Sequence, residues 1–218
     1  MESFFVEVFC PHRFTVRTPM VRFFKRLLLA AALAALLAAG LVIAKSSDPT
    51  YTVQSWLSGS RYDRYDLLIG DLAQKHGLDP LLVKALVWRE SAFQPEKVGT
   101  SGERGLMQVG EAAAKDWATA QKIETFTPTD LFDPKTNLDV GTWYLRKALD
   151  RWKQKDDPVP FALAEYNAGK VRVDRWIAAT KKGEAATADD FVNAIDFPTT
   201  RKYVEDIMAR RRFYKQGP

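Results

Sequence analysis

The chain of 218 residues has one cysteine and two histidines, and that scarcity removes several kinds of chemistry at once. Cys10 has no second thiol to pair with, so no internal disulfide is available. His12 and His76 are too few for a Cys/His metal cluster, and neither a metal nor another cofactor is expected. A large excess of one charge is also missing. The net charge is +5, but 26 basic and 25 acidic residues follow position 45, which leaves +1 there. That balance is no electrostatic footprint for nucleic acid, and Arg210-Arg211-Arg212 reads as a solvated basic end. Internal repeats and low-complexity segments are absent, and almost nothing alternates with the two-residue period of a strand.

What is present begins with an uncharged apolar run, Leu27 to Ala44, preceded by Arg13, Arg17, Arg22, Lys25 and Arg26. At ~1.5 Å per residue the run makes a helix of roughly 27 Å, close to the ~30 Å hydrocarbon core of a bilayer. Positive charge before the run predicts a cytoplasmic N-terminus and export of everything beyond Lys45. Two fates are open: an uncleaved anchor, or a signal peptide ending at Val42-Ile43-Ala44. The length of the run favours the anchor. Met20 opens a compact signal-like MVRFFKR, so residues 1–19 are either a short cytoplasmic tail or a mis-assigned start. The expected organisation is a basic N-terminus at 1–26, a membrane segment at 27–44, a Ser/Thr/Pro/Gly-containing linker at 45–60 and one domain at 61–218.

Within the domain the turn chemistry marks a series of helices. One is expected from Arg61 to His76, with His76 serving the negative helix end. Gly77 as a left-handed C′ residue, Asp79 as N-cap and Pro80 at N1 separate it from the next. Glu111–Ala120 and a longer helix from an Asp133-Pro134 cap to about Lys153 follow. Gly141 inside that longer helix costs about 1 kcal/mol against Ala, so a close helix–helix contact is expected there. Phe161–Asn167, closed by Gly169, then Val171–Lys181, a polar loop 182–190, a turn at Phe191–Ile195 and a last helix from Pro198 complete an all-α domain.

The residue that stands out is Glu90. Val83, Leu86 and Val87 form the apolar stripe of a helix over 82–91, and Glu90 falls on the same stripe, in the last turn before Pro95. Apolar surroundings and the negative helix end both disfavour an ionised carboxylate there. A Glu so placed keeps a proton near neutral pH, as a general acid must. After it, Gly99, Gly102 and Gly105 mark a backbone that turns sharply; without a following Lys-Ser/Thr they are no nucleotide loop.

Glu90-Ser91, Gly105-Leu106-Met107-Gln108, Asn137-Leu138-x-x-Gly141-x-x-Tyr144-Leu145, Ala164-Glu165-Tyr166-Asn167-Ala168-Gly169 and Thr200-Arg201-x-Tyr203-Val204 follow one another in order. Together they resemble the soluble lytic transglycosylase family, from about Tyr62 to Met208. The resemblance implies a lysozyme-like (goose-type lysozyme/lytic transglycosylase) fold and an enzyme that cuts peptidoglycan glycan strands, without a cofactor, from the periplasmic side of the bacterial inner membrane. It implies Glu90 as the sole acid/base, forming a 1,6-anhydromuramoyl end, and Gln108, Met107, Tyr166, Asn167 and Tyr203 as substrate-binding residues. Ser91 is implied to fix the helix end. Two departures stand out: many relatives carry Ser, a hydroxyl thought to polarise the substrate N-acetyl group, where this chain has Gly99, and Glu where it has Thr199. Glu103 and Glu111 are the neighbouring carboxylates; Glu103, in the Gly-rich loop, reads first as a solvated charge, with a place facing the cleft as the alternative. Two other functions stay open: a muramidase hydrolysing the same bond, and a peptidoglycan-binding module without turnover.

Overall fold

The computed structural model describes residues 19–46, 49–57 and 59–216; Cys10, His12, Arg13 and Arg17 lie outside the described residues. It divides near Pro49 into an N-terminal unit and a domain. The N-terminal unit contributes helix α1 (Pro19–Lys45). Ala and Leu, the strongest helix formers, fill most of it. Its Val21–Lys45 stretch is long and apolar enough to cross a membrane. Leu27, Leu28, Leu29, Leu33 and Leu41 are exposed around it, so from Leu27 to Ala44, past the basic Arg22, Lys25 and Arg26, its surface is apolar all round.

The domain starts with α2 (Pro49–Leu57), inside the segment whose composition suggested a linker. It is ordered because one face is aromatic. Tyr51 is buried with its ring 5.2 Å from those of Tyr62 and Phe213, and the Arg210 guanidinium stacks between Tyr51 and Trp88, 3.9 and 4.0 Å from their centroids. With so few residues on that face, no period shows in the sequence. A 3₁₀ turn at Gly59–Tyr62 then replaces the first turn of the helix expected from Arg61, and α3 runs over Asp66–Lys75. Gly77 (φ +62°) closes α3, with Leu78 N–H donating to Ala73 and Gly77 N–H to Gln74.

Helix α4 (Pro80–Ser91) starts as its cap predicts: the Asp79 side chain accepts from Leu81 N–H at 2.9 Å, and Pro80 occupies N1. After α5 (Glu111–Ala120) comes α6 (Pro134–Arg151), capped by Asp133 accepting from Thr136 N–H at 2.8 Å. The centre is α7 (Val159–Ala168), whose residues from Val159 to Glu165 are all buried against α6, α10 (Pro198–Gln216) and the shorter α8 (Lys170–Ala179) and α9 (Ala188–Ala194). Helix α10 also lies along α4, so α4, α10 and α7 are packed in series. Among the described residues β pairing is limited to two isolated bridges, Val98–Arg104 and Arg104–Val109. The described residues form the all-α architecture expected.

Gly141 does permit a close approach, but by a loop residue and not by a helix. A Cβ there would stand 2.4 Å from Met107 Sδ, so the Met107 side chain lies directly on the α6 backbone.

Candidate active site

A cleft of about 470 Å³ opens where the end of α4, the turns of residues 97–108, the end of α7 and the start of α10 converge. Each wall has a local cause. Helix α4 ends in two successive left-handed non-glycine residues, Ala92 (φ 50°) and Phe93 (φ 62°), which turn the chain sharply away. Phe93 is held there by burial against the Tyr62 ring at 5.2 Å. Ser91 is buried too, its hydroxyl donating to Val87 O, so it serves the helix end as expected. Lys97 reaches back to donate to the Glu90 carbonyl, one of the acceptors a helix C-terminus leaves open.

The turns at 97–108 are fixed from below by Asn137 of α6. Its buried amide donates to Arg104 O (2.7 Å) and Leu131 O (2.9 Å) and accepts from Met107 N–H (2.8 Å), so all three backbone groups are satisfied. Gly105 is required at this junction: its φ is +79°, and a Cβ would meet Asn137 Nδ2 at 2.2 Å and Leu131 O at 2.3 Å. The next residues divide their tasks. Met107 goes inward and Gln108 (φ 46°) outward, its Nε2 donating to Lys97 O and Gly105 O, both at 3.0 Å.

Glu90 lies half-buried in the cleft, where Tyr203 OH of α10 donates to its Oε1 at 2.6 Å. Burial is the largest influence on this carboxyl and raises its pKa. The Tyr203 hydrogen bond, Arg89 and Lys97 pull it down, and the Glu103 charge raises it, for a result of about 7. Tyr203 is itself buried, with the Arg89 guanidinium 5.3 Å from its ring centroid. Burial and the nearby Glu90 hold the phenols of both Tyr203 and Tyr166 well above the ordinary value, so both are donors. Tyr166 OH donates to Met107 O at 3.0 Å, and Asn167 Oδ1 accepts from Thr200 Oγ1 at 2.8 Å.

Of the residues expected at the site, Glu90, Gln108, Tyr166, Asn167 and Tyr203 all line this cleft. Met107 does not. Its side chain is fully buried against Gly141, and only its backbone serves the site, as the acceptor that orients Tyr166. Glu103 takes the second of its two expected places, on the cleft wall and not in free solvent, and Arg89, Lys97 and Thr199 are on that wall too. His76, at the end of α3, pairs with Asp139 at 2.6 Å and is not among the cleft residues.

The family described as the Transglycosylase SLT domain matches residues 68–188. The soluble lytic murein transglycosylase of Escherichia coli K12 is 30% identical over 173 residues, covering 75% of this chain and 26% of that protein. The membrane-bound lytic murein transglycosylase C of Shigella sonnei is 39% identical over 161 residues, covering 71% of this chain and 45% of that protein. Among solved structures, an inactive Glu-to-Gln mutant of the lytic transglycosylase Slt of Pseudomonas aeruginosa superposes with a TM-score of 0.62 at 25% identity, covering 70% of this chain and 24% of that one. The chain thus spans about a quarter of the length of the soluble relatives. Since residues 68–188 are more than half of it and include Glu90, the 97–108 turns and α7, the chain belongs to the transglycosylase SLT domain family.

Proposed function

We propose that the protein is a peptidoglycan lytic transglycosylase in which Glu90 alone acts as general acid and then general base. The observation that carries this reading is the Glu90 carboxyl, in a sugar-sized cleft, with a pKa near 7 and a phenol fixing one oxygen. A group so poised gives and takes a proton equally well at neutral pH. The inactivity of the Glu-to-Gln mutant of the Pseudomonas Slt is in keeping with it.

In the proposed reaction the Glu90 proton passes to the oxygen linking N-acetylmuramic acid to N-acetylglucosamine as the bond from that oxygen to C1 breaks. The carboxylate left behind takes the proton of the muramic C6 hydroxyl, whose oxygen closes onto C1. The product carries a 1,6-anhydromuramoyl end, no water is consumed, and Glu90 regains its proton. The nucleophile belongs to the substrate, so positioning replaces a second activating carboxylate; effective molarities of ~10⁵ M or more are available to such closures. Tyr203 holds the carboxyl in line. Gln108 has spent its donor on the loop, leaving Oε1 as an acceptor for a sugar hydroxyl or amide. Asn167 has spent its acceptor on Thr200, leaving Nδ2 to donate to an N-acetyl carbonyl. Tyr166, anchored through its hydroxyl, presents a ring to a sugar face.

Helix α1 fits an inner-membrane anchor that leaves the domain on the periplasmic side, beside its glycan substrate. The test is to incubate the full chain, in detergent, with purified sacculi and weigh the released muropeptides. The anhydro form is expected. The muramidase reading has one observation in its favour, the Glu103 carboxylate on the cleft wall, and products one water heavier with a reducing end identify it. A binding module would pull down with sacculi and release nothing.

A further inference from the structure

Gly99 and Glu103 face each other across a tight turn. Gly99 N–H donates to the Glu103 carbonyl at 2.7 Å, Gly102 N–H donates back to Gly99 O at 3.2 Å, and Ser101 N–H donates to the Glu103 carboxylate Oε2 at 3.1 Å. A Cβ placed on Gly99 would stand 2.4 Å from that same Oε2 and 2.9 Å from Gln108 Oε1. The carboxylate therefore fills the volume that a side chain at position 99 would need. Both residues line the cleft that holds Glu90, and the Glu103 charge is felt at Glu90, where it strengthens proton binding. A carboxylate only accepts hydrogen bonds; an amino-sugar strand offers it hydroxyls and acetamido N–H groups. Cleavage at an anomeric carbon also builds positive charge, which a fixed negative group stabilises more in the transition state than in the ground state.

Resting on the lytic reading above, we propose that Glu103 is a substrate-facing carboxylate of this active site, seated in the space Gly99 leaves open. There it accepts an acetamido N–H of the bound sugar and offsets the positive charge at its anomeric carbon. The missing side chain at 99 and the acid at 103 are then one feature: a side chain at 99 would push the Glu103 carboxylate out of its present seat, and this chain leaves that seat open.

The test uses the full chain in detergent on purified sacculi, comparing wild type with Glu103→Gln, Glu103→Ala, Gly99→Ser and the double change Gly99→Ser/Glu103→Ala, each checked by thermal melting. Glu103→Gln keeps an acceptor for Ser101 N–H and removes the charge, so it is expected to melt as wild type while kcat falls about tenfold and KM moves less. Glu90 is faced by Arg89, Lys97, Tyr203 and Glu103, with Tyr166 nearby. Removing only the last carboxylate moves the alkaline limb of the rate profile to lower pH. Gly99→Ser alone displaces the carboxylate and is expected to lose activity, whereas in the double variant Ser has only the end of the Gln108 side chain to move aside and recovers at least threefold over Glu103→Ala. Glu103→Gln within twofold of wild type with an unmoved pH profile overturns the proposal, as does a double variant no better than Glu103→Ala. So does a Glu103→Gln variant that loses only reducing-end products, since that assigns the carboxylate to water delivery. A wild type that releases nothing sinks the lytic reading itself, which keeps the two failures apart.

Discussion

The two ends of α4 are built on opposite principles. At its start every group is satisfied by a residue chosen for the purpose: Asp79 caps, Pro80 fills N1, and Arg211 of α10 clamps the Asp79 carboxylate at 2.7 Å. Burial raises the Asp79 pKa, but the Arg211 and Leu81 hydrogen bonds outweigh it and leave it lowered. At its finish the helix accepts a half-buried carboxyl with a raised pKa, two left-handed residues without glycine, and a distant lysine as cap. One end stabilises the fold. The other stores unfavourable features where the cleft opens, as functional sites commonly do.

The largest separation of the two ends is expected from Glu90→Gln. Release of soluble muropeptides should fall at least ~10³-fold, since the variant has no proton to give and no carboxylate to take one back. Its effect on stability should have the opposite sign to its effect on activity. Between the unfolded carboxyl pKa of about 4.5 and the folded value of about 7 the native state holds the extra proton, so stability falls as pH rises through that window. Discounted for the solvent that reaches the cleft, the loss is roughly 2 kcal/mol. Glu90→Gln should remove that slope, giving a higher Tm than wild type at pH 8 and a similar one at pH 4. A melting curve series across pH reads it directly.

Tyr203→Phe comes next. It keeps the ring against Arg89 and removes the hydroxyl that steadies Glu90, so kcat should drop about 10- to 100-fold. That hydrogen bond favours the ionised carboxylate, so without it Glu90 should titrate above 7 and the alkaline limb should move to higher pH. An unmoved limb would show that the phenol does not govern this carboxyl.

The same contrast decides what was legible in the sequence. The start of α4 follows from Gly77, Asp79 and Pro80 alone, because caps and left-handed residues are local chemistry, and that start sets the helical phase which carries Glu90 to the cleft. The residues beyond α4 obey longer-range causes. Met107 is drawn inward because Gly141, on a different helix, leaves it room; nothing near Met107 in the chain announces that. Glu103 sits in a loop with no period, so the sequence leaves solvent and cleft both open to it, and the turn that sets it against Gly99 decides for the cleft. Helix α2 was hidden for a related reason: its order rests on Tyr51 meeting Phe213 and Arg210 from the far end of the domain.

Smaller effects test whether the well-capped end matters to stability alone. Asp79→Ala removes the N-cap bond and the Arg211 clamp together, and should cost about 1–2 kcal/mol. Activity per folded molecule should stay within about twofold. Because the Asp79 pKa is lowered, its contribution is full above about pH 4 and fades as pH falls through the folded value, so the melting difference should shrink in acid. A matching loss in kcat would mean that the two ends are mechanically coupled through α4.

Ala92→Gly asks the converse question at the strained end. A left-handed alanine costs roughly 1 kcal/mol relative to glycine, while glycine is the more costly residue to order on folding, so the net gain should be no more than a few tenths of a kcal/mol. Phe93 carries the same strain but is held by its burial against Tyr62, which should keep the turn in place when Ala92 is relieved. The position of Glu90 then should not change, and neither should the rate or its pH profile. A fall in kcat with a rise in Tm would instead show that strain at Ala92 itself holds the carboxyl, and that the disorderly finish of α4 is part of the catalytic machinery.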